Sequence, residues 1–190
     1  MFLHTSTMLA ATDLGRVIVF NAFGVVGIIL QILLYQMRTR KKILYLSMAN
    51  HVAWFSYFAF QGDFLSGVSN VVGIVSNFVF LFRGKHRWAD SKLWLILFVA
   101  IAVGWSVFTF NGWRDIFPLL GCASSISAFF MMKEKNIRKI SLFTYSMYLC
   151  NSLSKLYIVA LVADITALAS VVIALIRYAK KDKLECKEHE

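Results

Sequence analysis

The sequence predicts an all-α integral membrane protein of seven transmembrane helices, built as two parallel three-helix repeats joined by a linker helix. Three observations predict it. The 190 residues are 59% hydrophobic, with a mean hydropathy of +0.67 and one proline, well above the roughly half-apolar make-up of soluble domains. Apolar runs close to the ~20 residues that cross a hydrocarbon core recur along the chain. Short clusters of lysine and arginine alternate with those runs.

The elements follow in order. Residues 1–16, MFLHTSTMLAATDLGR, place no basic segment ahead of an apolar core, so they read as a short polar lead-in outside the membrane rather than a secretory signal. Spans at 17–36, 43–60 and 64–82 make the first repeat. Residues 83–112 hold a basic loop and the linker helix, span 4, at 92–110. Spans 5 to 7, at 114–132, 140–162 and 165–179, make the second repeat within 113–179, and 180–190 form a charged tail.

The charges set the orientation. Arg38, Arg40, Lys41 and Lys42 lie between spans 1 and 2, and Arg83, Lys85, Arg87 and Lys92 follow span 3. Lys133, Lys135, Arg138 and Lys139 follow span 5, and Arg177, Lys180, Lys181, Lys183 and Lys187 close the chain. The positive-inside rule puts all of these in the cytoplasm, the N-terminus outside and the C-terminus inside. That orientation requires an odd number of spans. The net charge of +10 therefore reports topology. Nucleic acid is not an expected partner, because the cations form no single basic face.

A repeat is visible in the polar residues. Asn50 precedes Asp63 by thirteen residues, and Asn151 precedes Asp164 by the same distance. Equating these pairs aligns spans 1–3 with spans 5–7. Parallel repeats of this kind occur in transporters, with the substrate near the midplane between them.

Polar side chains in such apolar runs need a reason. Asn50, Trp54 and Tyr57 share one helix face at i, i+4 and i+7, as do Ser66, Asn70, Gly73 and Asn77 on span 3 and Asn21, Gly24, Ile28 and Gln31 on span 1. Amides offer donors and acceptors without a charge, and an indole offers a flat face, which together suit a neutral polar solute. The plainer reading is interhelical hydrogen bonding. Asn151 joins the candidate solute-binding set from the second repeat. Lys155, about two turns inside span 6, would favour an anionic solute; snorkelling to the surface or pairing with Asp164 or Asp115 is the plainer reading. Asp63 and Asp164 fall in tight outer turns, where aspartate is common; an outer gate or rim shared with Tyr57, or a coupling-ion role, is the alternative. His51 points to another face than Asn50 and reads as a structural hydrogen bond, a proton relay being the alternative. Gly121, Ser124 and Ser125 read as close helix packing, and the tryptophans near span ends as interfacial anchors.

No metalloprotease, nucleophile-elbow, P-loop or dinucleotide motif occurs, and the spans hold almost no paired carboxylates. No catalytic residue, metal site or cofactor is expected. Cys122, Cys150 and Cys186 lack the spacing of a disulfide framework or a zinc site.

Several segments carry a family likeness: FGVVGIILQ in span 1, NHVAW in span 2, NVVG in span 3 and DIFPLLG at span 5. With the 3+1+3 order, they make the chain resemble the YgjV family of bacterial inner-membrane proteins, within the SWEET/PQ-loop (MtN3-like) superfamily. The resemblance implies a SWEET-like fold in which Trp54 and Asn70 frame a solute. The Pro-Gln dipeptide of PQ-loop proteins is absent, and span 1 has no proline. Equated through Asn50 and Asn151, Lys155 stands in place of the tryptophan and Val171 in place of the asparagine. The implied function is movement of a small polar solute across a bacterial inner membrane by alternating access between the two three-helix units. Alternatives are a non-transporting receptor or assembly factor on the same fold, and vitamin uptake like that of PnuC-type carriers. The expected partners are membrane lipid and the solute; self-association into a homo-oligomer is left open.

Overall fold

The computed structural model describes residues 2–61, 64–108, 110, 112–155 and 158–188. Among the described residues the chain is helical and has no strand. The helices are α1 (Phe2–Gln36), α2 (Arg40–Gln61), α3 (Phe64–Leu81), α4 (Lys92–Phe108), α5 (Ile116–Phe130), α6 (Glu134–Lys155) and α7 (Ile158–Glu188), with a 3-10 turn at Trp113–Asp115 leading into α5. Pro118 sits third in α5, where the missing N–H has no intrahelical partner to lose. Gly84, with φ +82, turns the loop after α3, and its N–H donates to Asp90 Oδ1 at 2.8 Å.

Two boundaries differ from the sequence reading. The lead-in is helical from Phe2 and continuous with α1; it is rich in alanine, leucine and methionine, and Gly15 alone does not end a helix. α6 ends at Lys155 and α7 begins at Ile158, so the boundary between the last two helices is not near residue 164. Residues 156–162 carry no glycine or proline, so hydropathy runs through the boundary unmarked.

Two helices are long and apolar enough to cross a bilayer by themselves, over Val17–Gln36 and Val159–Ala179, each with a hydropathy of 2.5. Gly67–Leu81 and Lys92–Phe108 are apolar but shorter. α2 and α6 miss that test for a reason. Each lies between two neighbours, α2 against α1 and α3, α6 against α5 and α7. Each turns inward the polar side chains that lower its hydropathy: Ser47 and Asn50 on α2, Ser141, Thr144 and Ser152 on α6, all buried. α1–α3 and α5–α7 thus form two contacting trios; these meet chiefly through α1 with α7 and α3 with α5, and α4 packs on α5 and α3.

The helix bounds recur with one shift. Gln36 and Phe130 close a helix, Arg40 and Glu134 open the next, Gln61 and Lys155 close it, and Phe64 and Ile158 open the third; each pair is 94 residues apart. At that shift Gly27 meets Gly121, Ile43 meets Ile137, Ser47 meets Ser141 and Ser76 meets Ser170, and all eight are buried. The thirteen-residue Asn–Asp spacing is therefore out of register by seven residues, two helical turns. Tyr148 stands opposite Trp54 and Asp164 opposite Asn70. Lys155 matches Gln61, and Val171 matches Asn77.

Three arginines tie one end of the bundle. Arg40 donates from Nε to Met131 O at 2.9 Å and from a terminal nitrogen to Phe80 O at 2.8 Å, while its backbone N–H donates to Glu134 Oε1 at 2.9 Å. Arg138 donates to Tyr35 O at 3.2 Å and Met37 O at 2.6 Å and lies 4.0 Å from the Tyr178 ring. Arg83 donates to Phe130 O and stacks on the Phe130 ring. Each guanidinium thus answers carbonyls left open at a helix C-terminus, and Arg40 and Arg138 do so across the two trios. Burial and the neighbouring Arg83 pull the Arg40 pKa below the ordinary arginine value, with Glu134 and Asp90 opposing; the group keeps its charge.

Candidate functional site

A polar cavity lies where the trios face each other. His51 of α2 and Ser69, Asn70, Gly73 and Ser76 of α3 form one wall. Cys122, Ser125, Ile126 and Phe129 of α5 with Tyr148 of α6 form the other. The space open to the centres of water-sized spheres is about 60 Å³, room for a few waters.

Glycines admit the two large polar side chains. A Cβ on Gly73 would sit 2.5 Å from His51 Nε2, and one on Gly121 would sit 2.5 Å from Tyr148 Cε1. His51 Nδ1 lies 3.1 Å from Asn70 Oδ1. With that oxygen accepting, Nδ1 carries the proton and Nε2 remains an acceptor beside Gly73. Across the cavity, Ser124 Oγ bonds Thr144 Oγ1 at 2.9 Å and fixes α5 on α6.

Of the residues expected to bind solute, Asn70 lines this cavity. Trp54 does not. Its ring packs on Gly27, 3.1 Å from where a Cβ would stand, and Nε1 donates to Gln31 Oε1 at 3.3 Å. Tyr57 is buried against Gly24 in the same α1–α2 contact and is not in the cavity wall. Asn77 is fully buried and donates to Ser47 Oγ at 2.8 Å, joining α3 to α2. Asn50 is buried and Asn151 half-buried, and neither is in the cavity wall. The side-chain oxygens of Asn50, Asn77 and Asn151 have no hydrogen-bond partner among the described residues. Asn21, expected on a shared polar face, is exposed and bonds Val17 O of its own helix. Asp63 lies outside the described residues, as does the side chain of Lys155.

Asp164 is the clearest correction. It is not in an outer turn: it is the seventh residue of α7, 8% exposed, and Ser152 Oγ donates to its Oδ2 at 2.5 Å. The unmarked boundary between α6 and α7 is the reason. His51, Tyr148 and Ser125 are cavity groups that the sequence reading did not assign to a site. A signal for Tyr148 is present: Gly121 reads as a close-packing position, and at the shift of 94 its partner is the counterpart of Trp54.

Among the described residues an apolar core that includes Leu34, Ile43, Phe80 and Ile137 also takes in polar groups, and the exterior is strongly apolar. Asn50, Asn70, Asn77, Asp164 and six serines and threonines are buried, while Ile18, Leu93, Ile96, Phe108 and Ile173 are all more than half exposed. In water such a surface would be unfavourable by the apolar area left wet; in lipid it is the favourable arrangement. An apolar exterior over helices that turn their polar groups inward is the arrangement of a helical membrane protein. The chain belongs to the Imp-YgjV family, described as a bacterial inner membrane protein, whose model matches residues 18–182. That agrees with the family resemblance of FGVVGIILQ, NHVAW, NVVG and DIFPLLG. Neither a curated protein nor a solved structure matches the chain.

Proposed function

We propose that the protein is a transporter of a small polar solute across the inner membrane, with seven spans in a 3+1+3 arrangement. The cavity carries this reading: its walls come from both trios and are set with neutral hydrogen-bonding groups. The shift of 94 supports the arrangement. It turns the α1–α2 contact into α5–α6, α2–α3 into α6–α7, and α1–α7 into α5–α3, each of which occurs. That pairing is what a pseudo-two-fold axis along the membrane normal would produce, as in parallel-repeat transporters. α4 is the linker that keeps the two trios in one orientation, and the arginine-tied end is cytoplasmic, with the N-terminus outside. Placement in the SWEET/PQ-loop superfamily is part of the same proposal.

Rocking of one trio against the other opens the cavity to each side in turn. Asn70 and Ser125 hydrogen-bond the solute, His51 Nε2 accepts from it, and Tyr148 packs its ring on it and bonds it through the hydroxyl. Trp54, Tyr57, Asn50 and Asn77 hold the helices that position these groups. A cavity sized for a few waters is the closed form of such a site, since a sugar-sized ligand fills hundreds of cubic ångströms.

The test is a thermal-shift screen of the detergent-purified chain against sugars, nucleosides, vitamins and small organic anions. A ligand at 100 times its Kd stabilises by about 2.7 kcal/mol. We expect a hit that Asn70→Ala and Tyr148→Ala abolish, and flux of that ligand into proteoliposomes. A folded protein that binds nothing in the panel, while capturing a protein partner stoichiometrically, would overturn the transporter reading in favour of a receptor or assembly role.

A further inference from the structure

We propose that Asp164 is a proton-coupling group: it takes up a proton from water when the cavity faces one side of the membrane and releases it to water when the cavity faces the other. This rests on the transporter reading and deepens it.

The placement argues for the role. Asp164 is a carboxyl inside an apolar helix window, Val159–Ala179, and is buried. Among the described residues it receives one hydrogen bond, from Ser152, and no cation pairs with it. A charge in that setting is expensive, so the group is neutral there unless water or a counter-ion reaches it. The remaining α6 neighbours lead toward the cavity. Tyr145, Tyr148 and Ser152 follow at i, i+3 and i+7, one face of α6. Tyr148 forms part of the cavity wall and Ser152 holds the carboxyl. A movement of α6 that opens the cavity therefore changes the water around Asp164.

The comparison with the other trio sharpens the point. At the shift of 94 the residue is Asn70, a permanently neutral amide bonded to His51. Structure alone is satisfied by the amide in one trio; the carboxyl in the other adds a proton that can leave.

The titratable groups around Asp164 come from each packed element. Tyr145 and Tyr148 of α6 interact with it electrostatically, Tyr35 of α1 lies beyond them with its hydroxyl 3.2 Å from that of Tyr145, and Cys122 of α5 lies beside Tyr148. Lys155 is three residues beyond Ser152 on α6. His51, across the cavity, is the other proton-carrying candidate.

Cys122 gives a readout that needs no solute. With Cys150→Ser and Cys186→Ser it is the sole thiol of the full chain. In proteoliposomes, its modification by a membrane-impermeant methanethiosulfonate reports water access to the cavity. We expect the rate in the protein with Asp164 intact to change between about pH 5 and about pH 8 by at least ~3-fold more than in Asp164→Asn, which keeps only the reagent's and thiol's own pH dependence. Lys155→Gln and His51→Gln should retain the extra response. Equal pH profiles with Asp164 intact and in Asp164→Asn would overturn the proposal. So would loss of the response in Lys155→Gln, which makes Asp164 half of an ion pair, or in His51→Gln with retention in Asp164→Asn, which makes His51 the carrier. A thiol unreactive from both sides at every pH sinks the transporter reading itself, which separates the two failures.

Discussion

The two trios solve the same packing problem and then part in chemistry. Gly27 receives Trp54 in the first, and Gly121 receives Tyr148 in the second, each pair 94 residues from its counterpart. The glycine lets an aromatic ring lie against the neighbouring backbone, as small residues do between membrane helices. The outcomes differ. The indole is closed off by its bond to Gln31, whereas the Tyr148 ring forms part of the cavity wall. One couple seals a helix pair, and its counterpart opens toward the site. A shared backbone register thus constrains size complementarity, and leaves polar function free to diverge.

The arginine-tied end is where breaking that comparison costs most. Arg40→Ala removes the donor for Met131 O and Phe80 O and separates carbonyl ends from both trios. Orphaned carbonyls and the lost charge-assisted bonds together cost about 3 kcal/mol. The melting temperature in detergent should fall accordingly, and Arg40→Lys should recover only part of it, because an ammonium cannot span both carbonyls. A variant as stable as the parent would mean that the two trios are held by other contacts.

Gly121→Ala comes next. Its new methyl would stand 2.5 Å from the Tyr148 ring, so the ring or α6 must move, at a cost of about 2 kcal/mol typical of overpacking. The same change should abolish binding of any ligand found in the cavity. Gly27→Ala is the matched control. Its methyl would meet the Trp54 ring at 3.1 Å, a contact relieved by a small shift, and the helix gains propensity from losing a glycine. We expect a loss below about 1 kcal/mol there, and no effect on cavity ligands. Equal losses at the two glycines would show that the couples are mechanically alike and only their polar edges differ.

These contrasts bear on what is legible in the sequence. Helices α2 to α5 fall within a few residues of their expected places, because Arg–Lys clusters mark the breaks after α1, α3 and α5, and Gly-Asp and Asn-Gly pairs mark those after α2 and α4. The basic clusters also foretell a shared end, which the guanidinium-to-carbonyl bonds realise. The α6–α7 boundary is illegible: no glycine, proline or charge marks residues 156–162. That one gap moves Asp164 from a buried helix position to a supposed loop. It also lends weight to a thirteen-residue coincidence, which sets Lys155 against Trp54. The register is nonetheless readable in Gly27 and Gly121, Ser47 and Ser141, Ser76 and Ser170, residues whose small size is itself the constraint. Asn70 stands out because a polar residue in an apolar run needs a partner. Trp54 and Asn77 satisfy the same rule with partners inside their own trio, as Asn70 does through His51, and sequence alone does not tell a polar group that lines a cavity from one sealed in a helix seam.

The smallest expected stability effect therefore discriminates best between seam and site. Trp54→Phe removes the pyrrole edge of the indole, which supplies both the contact with Gly27 and the donor to Gln31; the lost bond alone costs about 0.6 kcal/mol, the average for interhelical bonds in membranes. Ligand binding in the cavity should be unchanged, because the indole faces α1. Tyr148→Phe keeps the ring against Gly121, the contact that packs α6 on α5, and removes only the hydroxyl; its stability cost should be no larger. Any cavity ligand should nonetheless bind more weakly, by about tenfold for one lost hydrogen bond. Parallel titrations of the two variants read this directly. If Trp54→Phe weakens binding and Tyr148→Phe does not, the solute path runs between α1 and α2, and the functional asymmetry of the trios is the reverse of that drawn from the cavity.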